Sequence, residues 1–274
     1  MNTNEIVKDL EEKLPIIGRN IARESTRLTD GFQRRFIQRI DSPWEHYPRW
    51  HQWGIVSHSL KAAEYWANEQ FTEDVPKQSQ EALYTTLNQE IEGIAKQDLI
   101  HISLVLHDLG KFNKGWDEEK FDFNGHEEDS QRIILEGPVT GLLSGYSLTS
   151  KQINYVANCA GKHFELGYLR REAKLSPLGY TQEWINSSDF NTAVEKKLPD
   201  FRGYEPEVGL MYLADSWAKV DPSFLHEAEG SRDRAKQLIY KSWKPEVLVD
   251  AVMQQPVSMA VGRKYLEIVL EAEK

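Results

Sequence analysis

Leu104-Val105-Leu106-His107-Asp108-Leu109-Gly110-Lys111 sets an adjacent histidine and aspartate at the end of an otherwise apolar run. The spacing predicts a short, strongly apolar helix over 98–109, closed by Gly110 as a C′ residue. A buried helix normally avoids ionisable groups. Burying both without partners costs several kcal/mol. A divalent cation offsets that cost, because imidazole and carboxylate are good ligands for such ions. Neighbouring helix residues diverge by about 100°, yet at a helix end both side chains can turn toward one point. Taken alone, the pair fits equally a histidine at a helix C-terminus beside a solvated aspartate.

Other segments repeat the theme. Trp50 to Leu60 carries His58 near the start of an amphipathic helix, and Asn124-Gly125-His126-Glu127-Glu128 puts His126 in the first turn of another. Ala157 to His163 ends on a histidine, and Gly209 to Ala218 holds Asp215 inside an apolar stretch. A buried mid-helix aspartate requires a partner, and a metal ion is a natural one.

The fold class that these patterns imply is all-α. Helices are expected over 5–23, 54–70, 80–95, 98–109, 126–135, 149–163, 206–219, 232–243 and 246–271, the last interrupted near Gln255-Pro256. Ser150 or Thr149 is the candidate cap of the 149–163 helix. No alternating Val/Ile/Thr run of useful length occurs, so strands are not expected. The segment 41–53, with Pro43, Pro48, Trp44, Trp50 and Trp53, reads as a rigid aromatic lead into the His58 helix. Lys111 to Gly125 and Leu166 to Glu183 read as loops. The expected organisation is one domain over 1–274. Its core is about 46–225, with an N-terminal helical extension over 1–45 and a C-terminal helical closure over 226–274.

Bulk composition narrows the function. The 274 residues are 40% hydrophobic and 28% charged, as in ordinary globular proteins. No apolar run approaches the roughly 20 residues that span a bilayer, and the polar, acidic start is neither a secretory nor an Arg-rich targeting segment. The expectation is a cytoplasmic protein with no membrane partner. The single cysteine, Cys159, lies in an apolar stretch, which suggests a buried thiol and excludes a cysteine-based zinc site. A net charge of −10 disfavours tight non-specific binding of duplex DNA, while a bound cation can still reverse the local field for a phosphorylated substrate. No GxGxxG or GxxxxGK[ST] phosphate loop occurs.

The order His58, His107-Asp108, His126, His163, Asp215, each on its own helical element, resembles the HD-domain metal-dependent phosphohydrolase superfamily over about residues 46–225. The resemblance implies a helical bundle around a metal centre, with His58, His107, Asp108 and Asp215 as core ligands. His126 and His163 fall where members with two metals place further histidines, and Asp108 would bridge the ions. Lys162 stands where members resembling CRISPR-associated nucleases often carry the first of two consecutive histidines. The Gly-Tyr-Pro motif of the cyclic-dinucleotide branch is absent. The implied cofactor is one or two divalent ions; histidine and carboxylate suit Mn, Fe, Co, Ni or Zn, and Mg less well. Such an ion lowers the pKa of a bound water for attack on phosphorus.

Lys111 is the candidate contact to a phosphate oxygen, and Asp108, Glu127 and Glu128 complete the catalytic candidates. For the two glutamates, a favourable acidic first turn is an equal explanation. Arg170 and Arg171, with Lys174, are candidates for a second phosphate, against a solvated charge cluster. His51 is a candidate to line the pocket, against the reading preferred here of a structural histidine; His101 is read as packing or surface, and His46 and His226 lack supporting context. Trp53 and Trp116 are candidates to stack on a base or wall the pocket. The leading expectation is hydrolysis of a small phosphorylated molecule, a nucleotide or phosphate monoester. The alternatives are a single-strand nuclease resembling the stand-alone HD component of CRISPR systems, and a non-catalytic signalling or binding module.

Overall fold

The computed structural model describes residues 2–46, 50–114, 123–175, 182–221 and 249–272. Within these, the side chains of Phe32, Trp44, Arg170, Arg171, Lys174, Leu175, residues 249–254 and Ala272 lie outside the description. The expected helix over 232–243, His226 and Trp116 also lie outside it.

The fold is all-α. α1 (Thr3–Glu24) opens with a reciprocal cap: Glu5 N–H donates to Asn2 Oδ1 at 2.9 Å and Asn2 N–H to Glu5 Oε2 at 2.8 Å. Then come α2 (Asp30–Gln38), α3 (Ile55–Ala67), α4 (Phe71–Asp74) and α5 (Gln80–Leu87). A hairpin of β1 (Glu90–Ile91) and β2 (Ile94–Ala95) follows. Beyond it lie α6 (Lys96–Leu106), α7 (Leu109–Lys114), α8 (His126–Leu135), α9 (Pro138–Gly145) and α10 (Ser150–Lys162). α11 (Tyr168–Leu175), α12 (Gln182–Ile185), α13 (Ser188–Lys197), α14 (Glu205–Trp217) and α15 (Val249–Ala272) complete the order.

α6 and α14 are the central helices. Leu99, Ile100, Ile102, Leu104, Val105 and Leu106 are all buried on α6, and Val208 to Leu213 are buried without a break on α14. A helix that is apolar all round has no face to offer water and must be enclosed. α1, α3, α10 and α14 pack around α6, while α3, α10 and α15 pack on α14. One buried apolar cluster runs from Ile6 to Leu270, so the terminal helices share the core of the central ones.

Several sequence expectations shift. The helix expected over 80–95 ends at Leu87, because Glu92 and Gly93 adopt φ of 51° and 89° and turn the chain into the hairpin. The helix expected over 98–109 runs over Lys96–Leu106, and Gly110 is not its C′ residue but lies within α7. A Cβ at position 110 would run into the His126 carbonyl oxygen, and Gly110 N–H donates to Ser130 Oγ at 2.8 Å. Glycine is needed there because α7 lies directly on the backbone of α8, not to end a helix. α15 continues through Pro256 without the expected interruption. Part of each expected loop, Lys111 to Gly125 and Leu166 to Glu183, is helical, in α7 and α11.

Candidate metal centre

Each histidine of the motif is delivered by a local device. α3 begins at an uncapped Gly54, and Asp41 from the preceding turn takes the capping role: its Oδ1 accepts from Ser57 N–H at 2.8 Å. That fixes the first turn bearing His58. His107 and His163 occupy the C-cap positions of α6 and α10. Each donates Nδ1–H to the carbonyl three residues back, Leu104 and Ala160, both at 2.7 Å. Thr149, rather than Ser150, caps α10, in a reciprocal box with Gln152. His126 is the first residue of α8, after Gly125 in the left-handed region at φ 70°, and its Nδ1 donates to the Phe123 carbonyl at 2.9 Å. His107 and Asp108 form the break between α6 and α7 rather than a last helical turn. That break lets two neighbouring side chains face one point.

A carbonyl can only accept, so the proton of these rings lies on Nδ1 and the Nε2 lone pair faces inward. Backbone anchoring of this kind is how metal-ligating histidines are oriented. Asp108 stands among the Nε2 atoms. Its Oδ1 is 3.2 Å from His126 and 3.6 Å from His163; its Oδ2 is 3.6 Å from each of His46, His58 and His107. Asp215 Oδ1 lies 3.0 Å from His58 Nε2 and 3.9 Å from His107 Nε2, and its Oδ2 pairs with Lys219 at 2.7 Å. His58 Nδ1 faces the Ala218 carbonyl at 3.2 Å.

Burial sets the electrostatics. The six residues from His58 to Asp215 in the motif are at most 7% exposed. Burial pushes His107 down to about 4 and holds His163 well below the usual histidine range. For the carboxylates burial pulls the other way, raising them. At Asp108 the ammonium of Lys111 overcomes it, and at Asp215 that of Lys219 does, so both stay well below the usual carboxylate range.

The fit to a cation follows from the buried atoms left over. His107 Nε2, Asp108 Oδ1 and both nitrogens of His51 have no hydrogen-bond partner. His126 and His163 bring two Nε2 atoms within 3.2 Å of each other. Four overlapping groups have ligand atoms close enough to share an ion: His51/His58/Asp215, His58/His107/Asp108, His107/His163/Asp215 and Asp108/His126/His163. The chain thus has a helical fold with a buried cluster of histidines and aspartates that could bind metal, as in HD domains. Cys159 is buried, as expected, with its thiol pushed well up by burial.

The remaining candidates divide. Lys111, 4% exposed, donates to Asp108 Oδ2 at 2.8 Å and to His46 Nε2 at 2.9 Å, so it belongs to the centre. Glu127 Oε2 lies 3.2 Å from His126 Nδ1, whereas Glu128 is exposed on the same turn. Arg170 and Arg171 lie on α11, and their side chains lie outside the described residues. Two further histidines enter, neither of them among the ligands expected from sequence. His46 donates Nδ1–H to the Trp53 carbonyl at 3.0 Å and is held neutral, first by burial and then by the charge of Lys111. His51 stacks on His46 with ring centroids 3.8 Å apart. Three tryptophans and two prolines around them gave the only signal, that of a rigid segment.

No protein-family model matches the chain, and no curated protein matches it. Among the described residues, no helix is long and apolar enough to cross a membrane.

Proposed function

We propose that the chain acts, as a single HD-type domain, as a metal-dependent phosphohydrolase that cleaves a phosphate ester of a small molecule, a nucleotide being the favoured class. One observation carries the reading. His126 and His163 face each other with Nε2 atoms 3.2 Å apart, each with its proton committed to a backbone carbonyl, beside an Asp108 oxygen that has no donor. Three electron-rich atoms turned to one point are repulsive unless a cation joins them.

His58, His107, Asp108 and Asp215 would hold the first ion, and His126, His163 and the other Asp108 oxygen a second. Such an ion supplies Lewis acidity and a lowered water pKa near neutrality. The chain's own residues shape the rest. Asp108 and Asp215 are already matched by Lys111 and Lys219, so each divalent ion leaves the centre with surplus positive charge, which suits an anionic phosphoryl group. Lys111, steered by His46, is the donor to a phosphoryl oxygen. Glu127 is engaged with His126 and orients that ring, which leaves Glu128, the exposed acid of the turn, to return a proton to the leaving oxygen. Arg170 and Arg171 remain proposed contacts to a distal phosphate. The net charge of −10 favours a small substrate over a polynucleotide.

The test is hydrolysis of p-nitrophenyl phosphate, bis-p-nitrophenyl phosphate, a nucleotide panel and labelled single-stranded DNA, with Mn, Fe, Co, Ni, Zn or Mg. Metal-dependent turnover that Asp108→Ala reduces to the no-enzyme rate supports the proposal. Cleavage of the DNA alone would replace it with a nuclease. Silence from folded, metal-loaded protein on every compound would leave a binding module.

A further inference from the structure

The two histidines of the segment before α3 stack on each other, yet they are not equivalent. His46 is satisfied at both nitrogens: Nδ1–H donates to the Trp53 carbonyl, and Nε2 accepts from Lys111 at 2.9 Å. His51 is 7% exposed, and both of its nitrogens are buried with no hydrogen-bond partner. A neutral imidazole offers one N–H and one lone pair. A buried polar group left unmet costs about 1–3 kcal/mol, and a cation is one way to meet the lone pair.

The surrounding chain fixes where this ring lies. Gln52 N–H donates to the Lys219 carbonyl at 2.8 Å, and Gln52 Oε1 accepts from Asp221 N–H at 2.8 Å. Both bonds reach the chain just past α14, the helix of Asp215. His46, pinned by Trp53 and Lys111, covers one face of the ring, and His58 meets it edge-on with centroids 4.8 Å apart. So held, His51 has a ring nitrogen within 4.8 Å of a ligand atom on His58 and of one on Asp215. His58 Nε2 and Asp215 Oδ1 are themselves 3.0 Å apart, while His58 Nδ1 is turned to the Ala218 carbonyl. Three electron-rich atoms therefore gather on this side of the centre. They do not make a separate ion site. With Nδ1 on a carbonyl, His58 has one inward lone pair, and one lone pair serves one ion. Whatever ion His58 takes with His107 and Asp108 is the ion that His51 can reach.

We propose that His51 is a further ligand of the first ion, which is then held by His51, His58, His107, Asp108 and Asp215. The assignment rests on the metal centre proposed above but not on the reaction assigned to it.

The test is titration of the full chain, stripped of metal, with cobalt(II). It is read by calorimetry and by proton NMR, where each imidazole bound to cobalt contributes a strongly shifted N–H resonance. His51→Phe keeps an aromatic ring against His46 and offers no lone pair. It should weaken cobalt binding at one site by more than the roughly 10–100-fold that loss of an outer partner costs, and it should remove one shifted resonance. His51→Gln, which has no ring, should lose the same resonance, so a phenylalanine that disturbs the fold does not end the test. His101→Gln, on α6 outside every metal-capable group, should change neither readout. A folded His51 variant with the parent's affinity and its full set of shifted resonances would overturn the assignment while leaving the metal centre standing. Equal losses from His101→Gln would do the same. A parent that binds no cobalt would overturn the centre and the assignment together.

Discussion

Asp108 and Asp215 are both buried, 1% and 2% exposed, yet the chain compensates them differently. Asp215 Oδ2 lies 2.7 Å from the Lys219 ammonium, without a hydrogen bond, and its Oδ1 lies 3.0 Å from His58 Nε2. Asp108 has Lys111 on Oδ2, while Oδ1 faces His126 and His163 without a donor. The Asp215 side is the more closed of the two, because an ammonium of the chain sits on it, and the Asp108 Oδ1 side is the more open, because only histidine ring nitrogens face it. A buried carboxylate oxygen with no donor is where an added cation would remove an electrostatic cost.

The sharpest way to break this comparison is the double variant His126→Ala/His163→Ala. Ligands lost on the open side should cost one bound ion per chain. Hydrolysis should fall by more than the about 10–100-fold that loss of an outer partner costs. Metal content unchanged after dialysis would show that the open side holds nothing.

Lys219→Met probes the closed side. Removing one member of a buried pair costs about 3–5 kcal/mol, so the metal-free variant should melt well below the parent. Because the ammonium no longer competes for Asp215, added metal should raise its melting temperature by more than it raises the parent's. Equal metal-induced shifts would show that Lys219 neither closes that side nor competes there.

Gly110→Ala addresses the frame beneath both sides. A methyl forced against the His126 carbonyl should cost about 1–3 kcal/mol, seen as a fall of a few degrees in melting temperature. A smaller loss of metal affinity should follow, because the first turn of α8 carries His126. An unchanged melting curve would mean that α7 and α8 separate easily.

The smallest effect is expected at His101, on α6 but outside every metal-capable group. Burial lowers it to about 4, against about 6.5 in an unfolded chain. Between those values the unfolded chain binds the extra proton, so stability falls as pH drops from about 6.5 to about 4. His101→Gln should flatten the pH dependence of melting in that window. A variant as acid-sensitive as the parent would shift the burden to the other buried histidines.

The parts of the molecule legible in sequence were those whose chemistry conflicts with their surroundings. His107-Asp108 after Leu104 to Leu106, and Asp215 within α14, are ionisable groups in apolar helices, and that conflict shows in a linear string. The α8 boundaries were also legible, since Gly125 and Gly137-Pro138 bracket the segment. His46 and His51 were not, because an irregular stretch rich in proline and tryptophan has no period from which to read a facing direction. Their convergence on Lys111 and His58 is made by tertiary packing alone. The Glu90–Ala95 hairpin was hidden for a related reason: two-residue strands are too short to alternate visibly, and the turn at Glu92-Gly93 decided the matter.

Gly110 holds no ligand, yet α7 can lie on α8 only if that position has no side chain. In a survey of every substitution along the chain, position 110 would therefore score as intolerant as His107 or Asp108. Such a survey would mark the His-Asp-x-Gly stretch as a single block, although two of its residues face the buried cluster and another only lets two backbones touch. Intolerance to change in this stretch would record neighbourhood as well as chemistry, and swapping residues alone would not tell them apart.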